Sequence, residues 1–76
     1  MKALLDYLAR SVVEHPDAVQ VEEVESGDRV VLRLRVARED LGRIIGKQGR
    51  VAKALRAVVK AGAVKSGRQV KVEIMD

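Results

Sequence analysis

The run Leu41-Gly42-Arg43-Ile44-Ile45-Gly46-Lys47-Gln48-Gly49-Arg50-Val51 sets two glycines around the polar pair Lys47-Gln48, between two apolar stretches of helical character. Glycine lets a backbone approach a phosphate closely, and a helix placed after it offers unpaired N–H groups and the positive end of its dipole. Lys47 and Arg50 add charge at the same place. The run therefore reads as a phosphate-gripping loop, but not one that hydrolyses nucleotides. A Walker A loop needs four residues between its first glycine and the Gly-Lys pair, then Ser or Thr for magnesium. Here only Arg43, Ile44 and Ile45 separate Gly42 from Gly46, and Gln48 stands in the hydroxyl position. The dinucleotide fingerprint fails as well, with Ile44 at its first glycine and no βαβ unit after it.

Other constellations carry little chemistry. Ser11, Ser26 and Ser66 have no plausible base, and His15 is the single histidine. Glu39-Asp40 is the one acidic pair near the loop, and it reads as a helix-dipole partner, not a general acid and base. The chain has no cysteine, which excludes a disulfide framework and a cysteine-based metal centre. The expectation is a binding protein with no catalytic residues, no metal and no cofactor.

Charge gives a separate argument. Residues 1–40 carry six basic and nine acidic side chains, residues 41–76 nine basic and two acidic. Between Leu41 and Val72 there is no acid at all. One-sided positive charge of this kind is the footprint of a polyanion binder, and also a common solubilising surface. The 76 residues allow one domain with a small core, since a chain of this size buries only about 60% of its unfolded surface. No stretch has the make-up of a signal peptide or the length of a membrane span, so a cytoplasmic protein without membrane contact is expected.

The elements that must position the loop are set by periodicity. Leu4, Leu5, Leu8, Ala9, Val12 and Val13 recur at helical spacing over residues 2–14, and Pro16 ends that helix, with half-buried Tyr7 in it and His15 at its C-terminus. Val19, Val21 and Val24 suggest a strand over 18–25 whose alternation slips near Glu23, at a bulge or an exposed edge. After the turn Ser26-Gly27-Asp28, Val30, Leu32, Leu34 and Val36 alternate cleanly with Val31, Arg33 and Arg35. Arg33 and Arg35 then either face solvent or line a groove beside the glycine loop. Glu39 to Ile45 reads as a short helix stopped by Gly46, and Val51, Ala54, Leu55, Val58 and Val59 as the stripe of a second helix closed by Gly62. Ser66-Gly67 turns the chain into a last strand through Val70, Val72 and Ile74. The order is α-β-β-α-α-β.

Ile44-Ile45-Gly46-Lys47-Gln48-Gly49-Arg50-Val51 resembles the signature of the KH RNA-binding domain, apolar-Ile-Gly-x-x-Gly-x-apolar, set between two helices. In that family the short helix, the Gly-x-x-Gly loop and the next helix form one wall of a groove that clamps the backbone of about four nucleotides. The stretch from Arg50 to Asp76 suffices for one helix and one strand, so the extra helix and strand precede the shared core. The chain thus resembles the type II, bacterial version, an α+β fold with a three-stranded sheet packed against three helices and a single KH domain over residues 1–76. It is similar to the bacterial family of stand-alone, single-KH RNA-binding proteins.

The resemblance implies that Gly46, Lys47, Gln48 and Gly49 form the clamp, that Gly42, Ile44 and Ile45 shape the groove and the packing behind it, and that Arg43, Arg50 and Lys53 meet phosphates. It implies the Arg33/Arg35 strand as the opposite wall. With one aromatic residue in the chain, recognition rests on apolar contact, hydrogen bonds and arginine, not on stacking platforms. The partner so implied is single-stranded RNA, and the role that of an RNA chaperone or post-transcriptional regulator. The family further implies a homodimer, or a heterodimer with a larger Jag-type KH protein, and a link to cell-wall biogenesis and cell shape. Two other readings stay open: an interaction module in which the helix–loop–helix surface makes a dimer and RNA contact is secondary, and a binder of single-stranded DNA.

Overall fold

The computed structural model describes the backbone of residues 1–76 and every side chain but that of Lys47. Helix α1 spans Lys2–Val12, and a short 3-10 turn, Pro16–Ala18, leads into strand β1, Gln20–Ser26. Strand β2 covers Arg29–Arg35, the helical span α2 Arg38–Ala63, and strand β3 Gln69–Met75. Among the described residues no helix is long and apolar enough to cross a membrane.

Helix α1 buries Leu5 and Ala9, one turn apart on its inner face. It ends two residues earlier than its apolar spacing predicts, because Val13 is already extended and Pro16 starts the 3-10 turn. Arg10 ties this corner together: its guanidinium pairs with Asp6 at 3.1 Å and donates to the carbonyls of Pro16 at 2.9 Å and Val19 at 3.2 Å. His15 lies beyond the helix, at the start of the 3-10 turn. Tyr7, expected to be half-buried, is 67% exposed.

Strands β1 and β2 form a hairpin with Ser26 opposite Arg29. Gly27 takes the positive φ, 60°, that a type II′ turn asks of its first loop residue. The order is β1-β2-β3, with β2 central, antiparallel to β1 and parallel to β3. In β2 the alternation resolves as the sequence suggests: Val30, Leu32 and Leu34 are buried against the helices, whereas Arg33 and Arg35 stand on the open face. Strand β1 is an exposed edge, which explains its irregular pattern of valines.

A parallel β2–β3 pair requires a crossover, and α2 supplies it. Its helical run is continuous from Arg38 to Ala63, but Gln48 (φ 64°) and Gly49 (φ 69°) are consecutive left-handed residues. A right-handed hydrogen-bond ladder cannot pass through two such residues intact, so α2 comprises two arms, residues 38–47 and 50–63, joined by a turn. With α1 these make the three helices of the expected fold. The interruption falls two residues later than expected: Gly46 belongs to the first arm and does not stop it. Gly62 does not close the second arm either. A Cβ on it would lie 2.9 Å from Cε of Met1, so this glycine makes room for the N-terminal residue. The chain reverses instead at Gly67, φ 70°, after the short 3-10 turn Val64–Ser66.

The core lies between the sheet and the helices. Leu32 and Leu34 of β2 meet Leu5 of α1, Ile44 of the first arm and Leu55 and Val59 of the second.

Candidate nucleic-acid interface

The turn between the arms opens onto a groove lined by Ile45, Gln48, Gly49, Ala52, Lys53, Arg56 and Ile74, with a volume of about 360 Å³. One wall is the turn with the second arm of α2. The other is β3, whose far edge pairs with β2 and whose near edge is free. Ile45, Ala52 and Ile74 give the groove an apolar floor, and Lys53 and Arg56 give it a cationic rim. Arg56 Nε donates to the carbonyl of Val72 at 3.4 Å, which lays the guanidinium across β3. Among the described side chains neither Lys53 nor Arg56 forms an ion pair, and no carboxylate lines the groove. Such a surface offers no general base and attracts an anionic chain whose apolar parts can rest on the floor.

The glycines of the turn separate by cause. Gly49 needs its residue type for the left-handed backbone. Gly42 and Gly46 are helical, and a Cβ on either would meet nothing within 4 Å. Nothing in the fold requires them to be glycine, so the open space over the first arm is available to a ligand.

Of the residues singled out in the sequence, Ile45, Gln48, Gly49 and Lys53 come together in this groove, and Gly46 lies half-buried next to the turn. Ile44 is buried in the core behind it. The side chain of Lys47 lies outside the described residues, and Arg43, Arg50, Arg33 and Arg35 are not brought to the groove. Arg43 pairs with Glu14 at 2.6 Å, on the side of α1. Arg50 lines a different groove, between α1 and the second arm. Arg33 and Arg35 sit on the open face of the central strand, with Arg33 3.3 Å from Glu73 and 3.6 Å from Glu22. The wall expected from their strand is supplied by β3, because the strand order puts β2 in the middle.

Sequence reasoning missed Arg56, Ile74 and Asp40. Arg56 comes three residues after Lys53 and so shares its helix face, a signal that was available. Ile74 reaches the groove only because β3 is an edge strand. Asp40 is 1% exposed, and its two carboxylate oxygens accept the backbone N–H of Glu14 at 2.9 Å and of His15 at 3.0 Å. Burial pushes its pKa up, but those two N–H bonds and the positive charges of His15 and Arg43 outweigh it and hold the carboxyl below its ordinary value. The first arm, and with it the turn, is thus anchored to the end of α1.

The groove between α1 and the second arm is of another kind. Leu8, Val12, Val51, Ala54, Leu55 and Val58 line it, with Ser11 and Arg50 at its margin and a volume of about 320 Å³. Val12 and Val58 remain substantially exposed there. Among the described residues no cluster of histidine and carboxylate side chains could hold a metal ion.

An α-β-β-α-α-β chain with a mixed three-stranded sheet and a Gly-x-x-Gly turn between two helical arms is a type II KH domain. The fold matches part of Era in two crystal structures. One, of Era in complex with MgGDPNP and nucleotides 1506–1542 of 16S ribosomal RNA, gives a TM-score of 0.66 at 23% identity, over 97% of this chain and 28% of that one. The other, Aquifex aeolicus Era Y63A bound to GDP.AlF4−, gives 0.59 at 23% identity, over 97% of this chain and 29% of that one. The KhpA/KhpB KH-domain family matches residues 2–74, and the chain belongs to it. It is 55% identical to the RNA-binding protein KhpA of Clostridium acetobutylicum, over 99% of this chain and all of that one. Against the RNA-binding protein KhpA of Bacillus subtilis it is 41% identical, over 100% of this chain and 94% of that one.

Proposed function

We propose that the protein binds single-stranded RNA, gripping its backbone at Gly46-Lys47-Gln48-Gly49 and laying its bases into the groove between the second arm of α2 and β3. The observation that carries this reading is the left-handed turn at Gln48 and Gly49, opening onto a groove rimmed by Lys53 and Arg56 without a carboxylate. The naming of its KhpA relatives as RNA-binding proteins supports the same ligand. This is a binding role, not an enzymatic one. Loose sequence preference is expected, since one such module holds about four nucleotides and no aromatic side chain lines the groove. An RNA chaperone or post-transcriptional regulator in the cytoplasm fits a binder of this kind.

A gel shift with Lys47→Asp/Gln48→Asp tests the reading. The double variant is expected to lose RNA retention while its circular dichroism spectrum stays that of the parent; unchanged retention would move the site elsewhere. Neutralising about three phosphates predicts a log–log salt slope near −2. Competition between matched RNA and DNA oligomers decides which nucleic acid is preferred.

The apolar groove between α1 and the second arm favours a second reading, assembly through that face with another copy or with a larger KH protein of the Jag type. It uses a face of α2 different from the one that lines the RNA groove, so both can hold at once. Light scattering with and without a short RNA separates them: an RNA-independent dimer supports assembly, a monomer in both conditions rejects self-association.

A further inference from the structure

The proposed RNA groove does not end where a clamp for about four nucleotides would end. Arg56 also lines a second groove, of about 390 Å³, together with Lys60, Val70, Lys71 and Val72. The two share Arg56 and both run along the free edge of β3. Along them the second arm advances from Ala52 through Arg56 to Lys60, while β3 is met in reverse, Ile74, then Val72, then Val70. Lys53, Arg56 and Lys60 stand at intervals of three and four residues, and therefore on one face of the arm. From Arg50 to Lys60 the helix rises about 15 Å.

The charge along this corridor is of one sign. No carboxylate lines either groove, and among the described residues Lys60 forms no ion pair. Glu73, on the strand that walls the corridor, is taken up with Arg33 at 3.3 Å and Lys71 at 3.9 Å on the sheet face opposite the helices. Beyond Lys60 no further cation of the helix lines the groove, and Arg68 is paired with Glu25 at 2.9 Å. A plain solvated helix face does not need two grooves beside it that meet at an arginine fixed to the strand edge.

The geometry points to a second phosphate-binding stretch, Arg56 to Lys60 along β3, that holds nucleotides of the same RNA strand beyond those at the Gly-x-x-Gly turn. It rests on the reading of the groove as an RNA site and lengthens that site. Arg56 then acts as the hinge between the two stretches, and Lys60 as the last cation of the track.

The length dependence of the salt slope tests it, because extra binding registers on a longer oligomer raise affinity without changing the number of phosphates contacted. The full-length protein and Lys60→Gln are titrated with five-nucleotide and ten-nucleotide oligouridines by fluorescence anisotropy over a range of potassium chloride. The parent is expected to show a steeper slope on the longer oligomer, by about 0.7 for each further phosphate neutralised, and Lys60→Gln to lose about 0.7 of slope on that oligomer. Equal slopes on both lengths overturn the extension and leave the clamp standing. The same holds if Lys60→Gln keeps the parent slope on the ten-nucleotide strand. Failure of the parent to bind either length overturns the clamp and the extension together.

Discussion

The carboxylate of Asp40 accepts the backbone N–H of Glu14 at 2.9 Å, joining the first turn of α2 to the chain leaving α1. Its second oxygen takes the N–H of His15 at 3.0 Å, and Arg43, one turn further along α2, pairs with Glu14 at 2.6 Å. Two N–H groups freed by the end of one helix are thus satisfied by a side chain in the first turn of another, where the dipole also favours negative charge.

This arrangement makes stability depend on pH. The Asp40 carboxyl is held below its ordinary 3.8, so its contribution to stability is present wherever the unfolded chain's carboxyl is already ionised, above about pH 4. It is lost as pH falls through the lower folded value. Asp40→Ala leaves two part-buried N–H groups without their acceptor and is expected to lower Tm by several degrees at pH 7, with a gap to the parent that closes as pH drops below 3.8. Thermal melts of both proteins between pH 7 and pH 3 check this. A gap that stays constant across the range would mean that the charge on Asp40 does not matter.

The turn between the arms stores a small amount of strain. Gln48, at φ 64°, adopts a conformation that L side chains avoid at roughly 1–2 kcal/mol, and Gly49 beside it does so freely. Gln48→Gly is therefore expected to raise stability by about 1 kcal/mol, and Gly49→Ala to lower it by about 1–2 kcal/mol. Urea denaturation measures both. Opposite signs at adjacent positions are the diagnostic result, and equal effects would place the reversal elsewhere.

Gly46 separates fold from function. It is helical, and an added Cβ meets nothing within 4 Å, so Gly46→Ala should raise stability by up to about 1 kcal/mol through helix propensity alone. The same methyl would occupy the space through which a phosphate approaches the turn, and RNA affinity should fall. Denaturation and anisotropy on one variant give the two readouts. A variant that is more stable and binds RNA undiminished would show that the strand does not pass over this residue.

Much of this was legible in the sequence because it was local. The alternation of Val30, Leu32 and Leu34, the helical stripe from Val51 to Val59 and the Gly-x-x-Gly spacing each depend on neighbours along the chain, and together they were enough for the α-β-β-α-α-β order and the type II fold. What was misplaced depends on partners distant in sequence. Sequence alone left Arg33 and Arg35 either facing solvent or lining a groove, and the choice rests on the parallel pairing of β2 with β3, which puts their strand in the centre of the sheet. Gly62 looked like a helix stop because nothing in its surroundings announces the packing of Met1 against it. Asp40 reads from the sequence as a helix-dipole partner and no more, because its two N–H donors lie some 25 residues earlier in the chain.

The second arm of α2 carries both proposed functions on different faces, and substitutions should part them. Val51, Leu55 and Val58 turn toward the groove shared with α1, Lys53 and Arg56 toward β3. Val58 is 43% exposed, so Val58→Glu should fold, put a charge into the apolar groove and reduce the mass of any assembly seen by light scattering. Its affinity for a short RNA should stay near that of the parent, a short strand being used so that two linked sites cannot bind it together. Arg56→Glu should do the reverse. Loss of a charge-assisted contact to phosphate is worth roughly 1.5–3 kcal/mol, which amounts to a tenfold or greater loss of RNA affinity with the assembly unchanged. If Val58→Glu weakens short-RNA binding as much as Arg56→Glu does, the two faces are not independent, and assembly must be part of how the groove is held open for RNA.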